Sequence, residues 1–204
     1  FDTLQVDSPE SGHTTHLSVM DRWGNVVSLT ATINTGFGSG VVLGSTGIFL
    51  NNQMDDFSVA PGQPNYFGLI GNEANAVEAG KRPLSSMTPT IIMKDGQPFM
   101  SVGAAGGPKI ITATLQTILN VIDFGADIQA AISDPRIHHQ WVPDVLFMDP
   151  DISPDCAIEL NRMGHRVLLR PVSSGVHGVM RDPETGLYYG GADPRSDGSA
   201  DGPR

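Results

Sequence analysis

The sequence predicts a layered α+β domain built on antiparallel hairpins, and three observations carry that reading. β-rich runs flank tight turns at Gly24-Asn25 and Asp95-Gly96, apolar residues recur at spacings of three and four after Pro108, and short strands and helices mix thereafter. With 204 residues, 39% of them hydrophobic, the chain can bury one substantial core, and nothing forces a second domain. A formal charge of -10 with scattered Lys and Arg argues against a nucleic-acid surface and favours small solutes as partners. No apolar run approaches the roughly 20 residues of a membrane span, and no signal peptide is read at the start.

Taken in order, residues 1–13 are rich in Asp, Ser, Pro, Glu and Gly without apolar periodicity and read as a linker or processing segment. Leu17 to Met20 and Val26 to Asn34 read as a hairpin, and Ile48 to Leu50 as a short strand. From Asn51 to Pro89 periodicity fades, a length that suits a functional loop or lid. Thr90 to Lys94 and Pro98 to Val102 form the second hairpin. Gly103-Ala104-Ala105-Gly106-Gly107-Pro108 then leads into an amphipathic helix marked by Ile111, Leu115, Ile118, Leu119 and Ile122, with Pro108 suited to its first turn. Helices at Ile128 to Ser133 and Pro154 to Met163, the latter stopped by Gly164, mix with strands at Val145 to Met148, Arg166 to Leu169, Val176 to Arg181 and Leu187 to Tyr189.

Several residues invite chemical readings. Thr14-Thr15 at the head of a strand is how a self-cleaving N-terminal threonine nucleophile would be written, although such a pair also starts ordinary strands. A threonine hydroxyl needs a base, and an N-terminal threonine carries one in its own α-amine, with a reference pKa of roughly 7.7 to 8.0. Here that nitrogen is an amide to His13, so the bond must be cut before it can serve. The single Cys156, in an apolar-patterned run, reads as a buried core residue. His138-His139 reads as structural, because no carboxylate or Cys completes a zinc set. Gly36, Gly38 and Gly40 lack the context of a phosphate loop and read as turns.

Long blocks of the chain resemble the small subunit of γ-glutamyltranspeptidases. They are Thr14-Thr15-His16 with Ser18, the stretch Thr32 to Gly40, Leu50 to Ser58, Lys81 to Thr90, Gly106-Gly107, and Asp134-Pro135-Arg136-Ile137-His138-His139-Gln140. The resemblance runs from Thr14 to about Arg195 and implies a small-subunit catalytic domain over 14–204. It also implies the N-terminal-nucleophile hydrolase fold, a four-layer αββα sandwich completed by a large subunit cut from the same precursor.

Roles follow from the resemblance. Thr14 would attack the γ-carbonyl of glutathione or another γ-glutamyl donor, and water or an amino-acid or peptide acceptor would release the acyl group. Thr32 would hold the Thr14 hydroxyl, and Gly106 and Gly107 would donate N–H groups to the oxyanion, as glycines before a helix start can. Asp56, helped by Asn34 and Gln53, would hold the donor's α-ammonium, and Ser85 and Ser86 its carboxylate. The family's large-subunit arginine for that carboxylate is not in this chain, so the polypeptide alone should be inactive. No cofactor or metal is implied, and the setting would be periplasmic or secreted. Bacterial members with a lid commonly carry a tyrosine after the Asp-Asp pair. Here Phe67 stands at the aligned position with Tyr66 beside it, which implies a retained lid with altered gating. Two alternatives stay open: a related cephalosporin or glutaryl acylase, and an unprocessed, non-catalytic homologue acting as a binding protein.

Overall fold

The computed structural model describes residues 14–202; the segment read as a linker lies outside them. In chain order the elements are β1 (Thr14–Met20), β2 (Val26–Thr32), β3 (Thr90–Lys94), β4 (Gln97–Ala105), α1 (Lys109–Ile122), α2 (Ile128–Ser133), β5 (Ile137–His138), β6 (Leu146–Met148), α3 (Pro154–Arg162), β7 (Val167–Leu169), β8 (Gly175–Arg181) and β9 (Tyr188–Ala192). The β1–β2 hairpin pairs from Thr14↔Thr32 to Met20↔Val26. Its turn is fastened by the Asp21 carboxylate, which accepts the N–H groups of Trp23 and Asn25. Strands β3-β4-β8-β9 form a four-stranded antiparallel sheet in that order. The β3–β4 turn has Asp95 at φ 51° and Gly96 at φ 75°, the left-handed pair that a two-residue hairpin turn needs.

Two layers cover this sheet. On one face α1 and α2 press Ile110, Ala113, Val121, Ile128, Ala131 and Ile132 against Met100, Val102, Ala104 and Val176, all buried. The β1–β2 hairpin covers the opposite face, giving helix, sheet and sheet. A small sheet, β5-β6-β7, lies beside α1 and α3.

The expected elements form, with four corrections. Ile48 to Leu50 is not a strand; only an isolated bridge, Val42↔Phe49, forms there. β5 went unread, its two residues being too few for a pattern. α1 turns a different stripe to the sheet: Ile110, Ala113, Thr114, Thr117 and Val121 are buried, whereas Ile111, Leu115, Leu119 and Ile122 are exposed. Small side chains let the helix approach closely, and its threonines are tolerated because Thr117 donates to Ala113 O at 3.0 Å and Thr114 bonds Thr88 at 3.2 Å. Cys156 is exposed, because α3 contributes no buried residue and touches β7 along one flank only.

The hairpin has an unusual alternation. Thr14, His16, Ser18, Ser28, Thr30 and Thr32 point at the large sheet, while Leu17, Val19, Val27 and Leu29, 43–50% exposed, point outward. The hairpin thus turns an aliphatic face to solvent.

Candidate active site

The pairing of β1 with β2 sets Thr14 opposite Thr32, and their hydroxyls meet at 2.9 Å. Thr32 Oγ1 also accepts the Asn34 N–H at 2.9 Å, so the chain just beyond β2 supports the pair. Asn34 is nearly buried at φ 78°, a conformation uncommon outside glycine. It is held there by its side-chain amide, which donates to Asn52 O at 3.2 Å, while Asn52 Oδ1 accepts the Thr35 N–H at 3.2 Å. These bonds dock the Thr32–Thr35 stretch onto the segment that opens Gln53–Asp56.

The depth of Thr14 is set by the polar layer beneath β1. Thr30 bonds His16 Nδ1 at 2.8 Å, and His16 Nε2 bonds Ser18 at 2.9 Å. Ser101 lies 3.0 Å from both Ser18 Oγ and Val27 O. A carbonyl only accepts, so the single Ser101 proton goes to Val27, and Ser18 supplies the proton between the two serines. Ser18 then accepts from His16 Nε2–H, and Thr30 donates to Nδ1. That pattern holds for the neutral imidazole, the form that burial of the ring selects. Burial, reinforced by the nearby His177, lowers the His16 pKa to about 4, which keeps the ring neutral. Gly103 is required under the ring, since a Cβ there would stand 2.4 Å from it. Thus Ser18 sits on Ser101 and His16 on Gly103. Two residues further along each strand stand Thr14, at the start of β1, and Ala105, the last residue of β4 before Gly106-Gly107.

Gly106 (φ 132°) and Gly107 (φ 57°) occupy backbone conformations that favour glycine. Behind Gly106 stand Ser173 and Ser174, within 3.1 Å of where a Cβ would lie. Among the described residues no backbone carbonyl accepts the N–H of either glycine, and their carbonyls begin α1 by accepting from Lys109 and Ile110. The sequence brings two open amides to a helix start, a place suited to an anionic oxygen.

The expected substrate anchors gather separately. Asp56, Ser85 and Ser86 line one cavity of about 340 Å³, with Ile111 and Asn65 among its other walls. Thr14, Thr32 and the glycine pair do not line it. Asp56 accepts from Gln53 Nε2 at 2.5 Å, while Gln53 Oε1, an acceptor, is buried without a partner. Burial raises the Asp56 pKa, aided by Asp55 and opposed by the Gln53 bond. A desolvated carboxylate beside an orphaned amide oxygen makes a place for a cationic donor. Ser85 Oγ accepts the Met87 N–H at 3.1 Å, which leaves its proton available.

The loop expected to be a lid forms a compact hairpin closed by Pro64↔Ile70. Its tip is organised by Asn65 Oδ1, which accepts from Phe67 N–H and Leu69 N–H at 3.0 and 2.9 Å. Asp55 accepts the Tyr66 N–H at 3.0 Å, so the first acid of the pair fastens the loop while the second faces the anchor cluster. Phe67 lays its ring against Gly107, 3.0 Å from where a Cβ would stand, and Tyr66 packs edge-on to it, 61% exposed.

Other residues emerge only in three dimensions. Arg136, fully buried, donates to Ser174 O at 2.8 Å and to Ile132 O, and pairs with Asp193 at 2.7 Å. Burial pushes the Asp193 pKa up and the Arg136 pKa down. For Asp193 the guanidinium and the N–H groups of Val176 and Arg195 outweigh burial and hold the carboxyl below its usual range. This network fixes Ser174, whose hydroxyl donates to Ala105 O at 2.8 Å, and so braces the glycine pair from behind. The sequence shows Arg136 within a resembling block but gives no sign of its burial. His138 is a buried structural histidine, bonded to Thr112 at 2.8 Å and to Gln140 at 2.9 Å, and His139 pairs with Asp144.

Comparison with known proteins gives a consistent answer. The family model described as gamma-glutamyltranspeptidase matches residues 2–202. The glutathione hydrolase proenzyme of Escherichia coli K12 is 50% identical over 92% of this chain, and that of Bacillus subtilis 168 is 42% identical over 97%. The chain spans 32% of the length of each. Among solved structures, the Helicobacter pylori gamma-glutamyltranspeptidase T380A mutant superposes with a TM-score of 0.86 at 48% identity, covering 89% of this chain and 100% of that one. A cephalosporin acylase from Bacillus halodurans superposes at 0.79 with 33% identity, covering 90% of this chain and 33% of that one.

Proposed function

The chain belongs to the γ-glutamyltranspeptidase family and has its α+β N-terminal-nucleophile hydrolase fold, and on that premise we propose that it is the catalytic small subunit of a γ-glutamyl transferase and glutathione hydrolase. The observation that carries this reading is the 2.9 Å contact between the Thr14 and Thr32 hydroxyls at the open end of the hairpin.

Cleavage of the His13–Thr14 bond converts the Thr14 nitrogen from an amide into an amine. The neutral amine takes the Oγ1 proton as Oγ1 attacks the γ-carbonyl carbon, and Thr32, fixed by the Asn34 N–H, steers the hydroxyl. The oxyanion falls to the amides of Gly106 and Gly107; one such donor typically supplies about 3 kcal/mol. Collapse expels the amine product, which takes the proton back from the Thr14 ammonium. Water or the amine of an amino acid or peptide then opens the ester. Asp56 and the free face of Gln53 hold the donor's α-ammonium, and Ser85 and Ser86 its carboxylate, so binding remote from the reacting carbon fixes its position.

The relatives' names support a precursor that is cut. Relatives named proenzymes are about three times as long, whereas the Helicobacter pylori chain is matched over its whole length. The rest of the precursor is the partner we assign to the outward aliphatic face of the hairpin, where it supplies the fourth layer. A periplasmic or secreted setting belongs to the same reading; no helix among the described residues is long and apolar enough to cross a membrane.

The test uses the full precursor. Intact-mass analysis should find a small subunit beginning at Thr14, and γ-glutamyl anilide should be turned over far faster than glutaryl anilide, which lacks the ammonium that Asp56 would hold. Thr14→Ala should leave the precursor uncut and lower turnover by about 10⁴-fold or more. Equal use of the two anilides would favour an acylase, and an uncut, inactive wild-type precursor would favour a binding protein.

A further inference from the structure

The Phe67 ring is held over the glycine pair by a closed circuit of contacts. Gly107 leads into α1, and Thr112, in the first turn of α1, bonds His138 Nδ1 at 2.8 Å. His138 Nε2 bonds Gln140 Oε1 at 2.9 Å. Gln140 Nε2 donates to Phe67 O and to Val142 O, both at 3.1 Å, and the Phe67 ring returns to Gly107. Two carbonyls claim the same amide nitrogen, which fixes the orientation of the Gln140 amide: its nitrogen faces the loop and its oxygen faces His138. Asp55 ties the same tip from the anchor cluster, its carboxylate accepting the Tyr66 N–H and its carbonyl accepting from Asn65 Nδ2. Phe67 lacks a phenol, so its ring makes no hydrogen bond, and its place depends on packing and on its backbone.

From this circuit we propose that Gln140 is a positioning residue of the γ-glutamyl reaction: by holding the Phe67 carbonyl it keeps the aromatic cover on the oxyanion glycines and limits the access of water to the acyl-enzyme. The proposal rests on the function given above. It assigns Gln140 no contact with substrate, and its effect falls on the partition of the acyl-enzyme more than on its formation. Gln140→Glu keeps the shape but puts an acceptor oxygen where the donor stood, against two carbonyl oxygens. Gln140→Leu removes the bond without adding a charge.

The experiment measures, on the processed full-length protein, the ratio of hydrolysis to transfer at a fixed concentration of dipeptide acceptor, together with the rate of anilide release. Both variants should raise the ratio about two- to tenfold, the effect of losing one ordinary hydrogen bond, with anilide release changed less. Phe67→Ala should raise it similarly, and adding Gln140→Leu to Phe67→Ala should raise it no further, an outcome that a purely structural role would not produce. An unchanged ratio in Gln140→Leu, additive effects in the double variant, or loss of folding in both Gln140 variants alongside a silent Phe67→Ala would each overturn the proposal while leaving the function intact. A wild-type protein that releases no γ-glutamyl product would overturn the function and the proposal with it.

Discussion

The two faces of β4 have opposite chemistry. Met100, Val102 and Ala104 point to the helices and join the apolar core cluster, whereas Ser101 and Gly103, between them, point to the hairpin and meet Ser18 and His16. β8 repeats the division, with Val176 in the core and His177 on the hairpin side, beneath His16. A dry layer is tolerant of detail and contributes stability in proportion to the area it buries. The polar layer contributes less per residue, but its directional bonds fix where β1 ends. The nucleophile candidate therefore stands on the layer that specifies position, and the layer behind it supplies the rigidity.

If this division holds, damage to the dry layer should be large in stability and silent in chemistry. Ile132 is fully buried, and its Cδ1 would lie 2.7 Å from a Cβ at Gly191, so α2 and β9 meet closely there. Ile132→Ala should lower the unfolding free energy by about 2–5 kcal/mol, read by urea denaturation, with kcat on γ-glutamyl anilide unchanged below the melting range. A parallel loss of kcat would show that the two layers are not separable.

A change in the anchor cluster should do the reverse. Asp56→Asn keeps the shape and removes the charge, so kcat/KM for γ-glutamyl anilide should fall about 10- to 100-fold, the effect of one charged hydrogen bond. Folding stability should hold or rise slightly, because burial already disfavours the Asp56 carboxylate. The sign in pH follows from the same fact. The ammonium needs the charged form, so kcat/KM in the wild type should fall on acidification at a pH above the ordinary aspartate range. An acid limb at or below that range would remove Asp56 from the role.

The same contrast explains what could be read in the sequence. Hairpins, helices and the glycine pair were legible because turn chemistry and local periodicity write them directly. The facing of α1 was not, because the apolar stripe of largest residues faces outward and the sheet takes the smaller one, with Ala113, Thr114 and Thr117 at the contact. For the hairpin, alternation fixes which residues share a face but not which face is covered, and here the polar face is the inner one. Of the candidate site, Thr14 with Thr32, and Asp56 with Ser85 and Ser86, were named from resembling blocks, and the structure brings together the members of each group. Arg136 and Gln140 could be seen only as letters of a block, since their work depends on partners 57 and 73 residues away.

The smallest effect is the one most particular to the polar layer. The hydrogen-bond chain from Thr30 through His16 to Ser101 is built on a ring that burial with His177 keeps neutral, its pKa lowered from 6.5 to about 4. A histidine whose folded pKa lies below its unfolded value resists protonation in the fold. Its contribution is therefore complete above pH 6.5 and is lost as pH falls from there toward 4. His177 is lowered by burial too, against the pull of Asp193, and acts in the same direction. The depressed Asp193 titrates below this window, and the raised Asp56 carries the opposite sign. The shift sets a ceiling of about 3 kcal/mol. Local opening of the layer lets the ring protonate before global unfolding, so a loss on the order of 1–2 kcal/mol between pH 7 and 4.5 is expected. His16→Gln removes the titration, and the difference between the two proteins cancels the groups that do not couple to His16. Urea midpoints that fall equally in both would mean that the His16 ring protonates freely in the folded state, and then the polar layer could not be the device that sets the depth of Thr14.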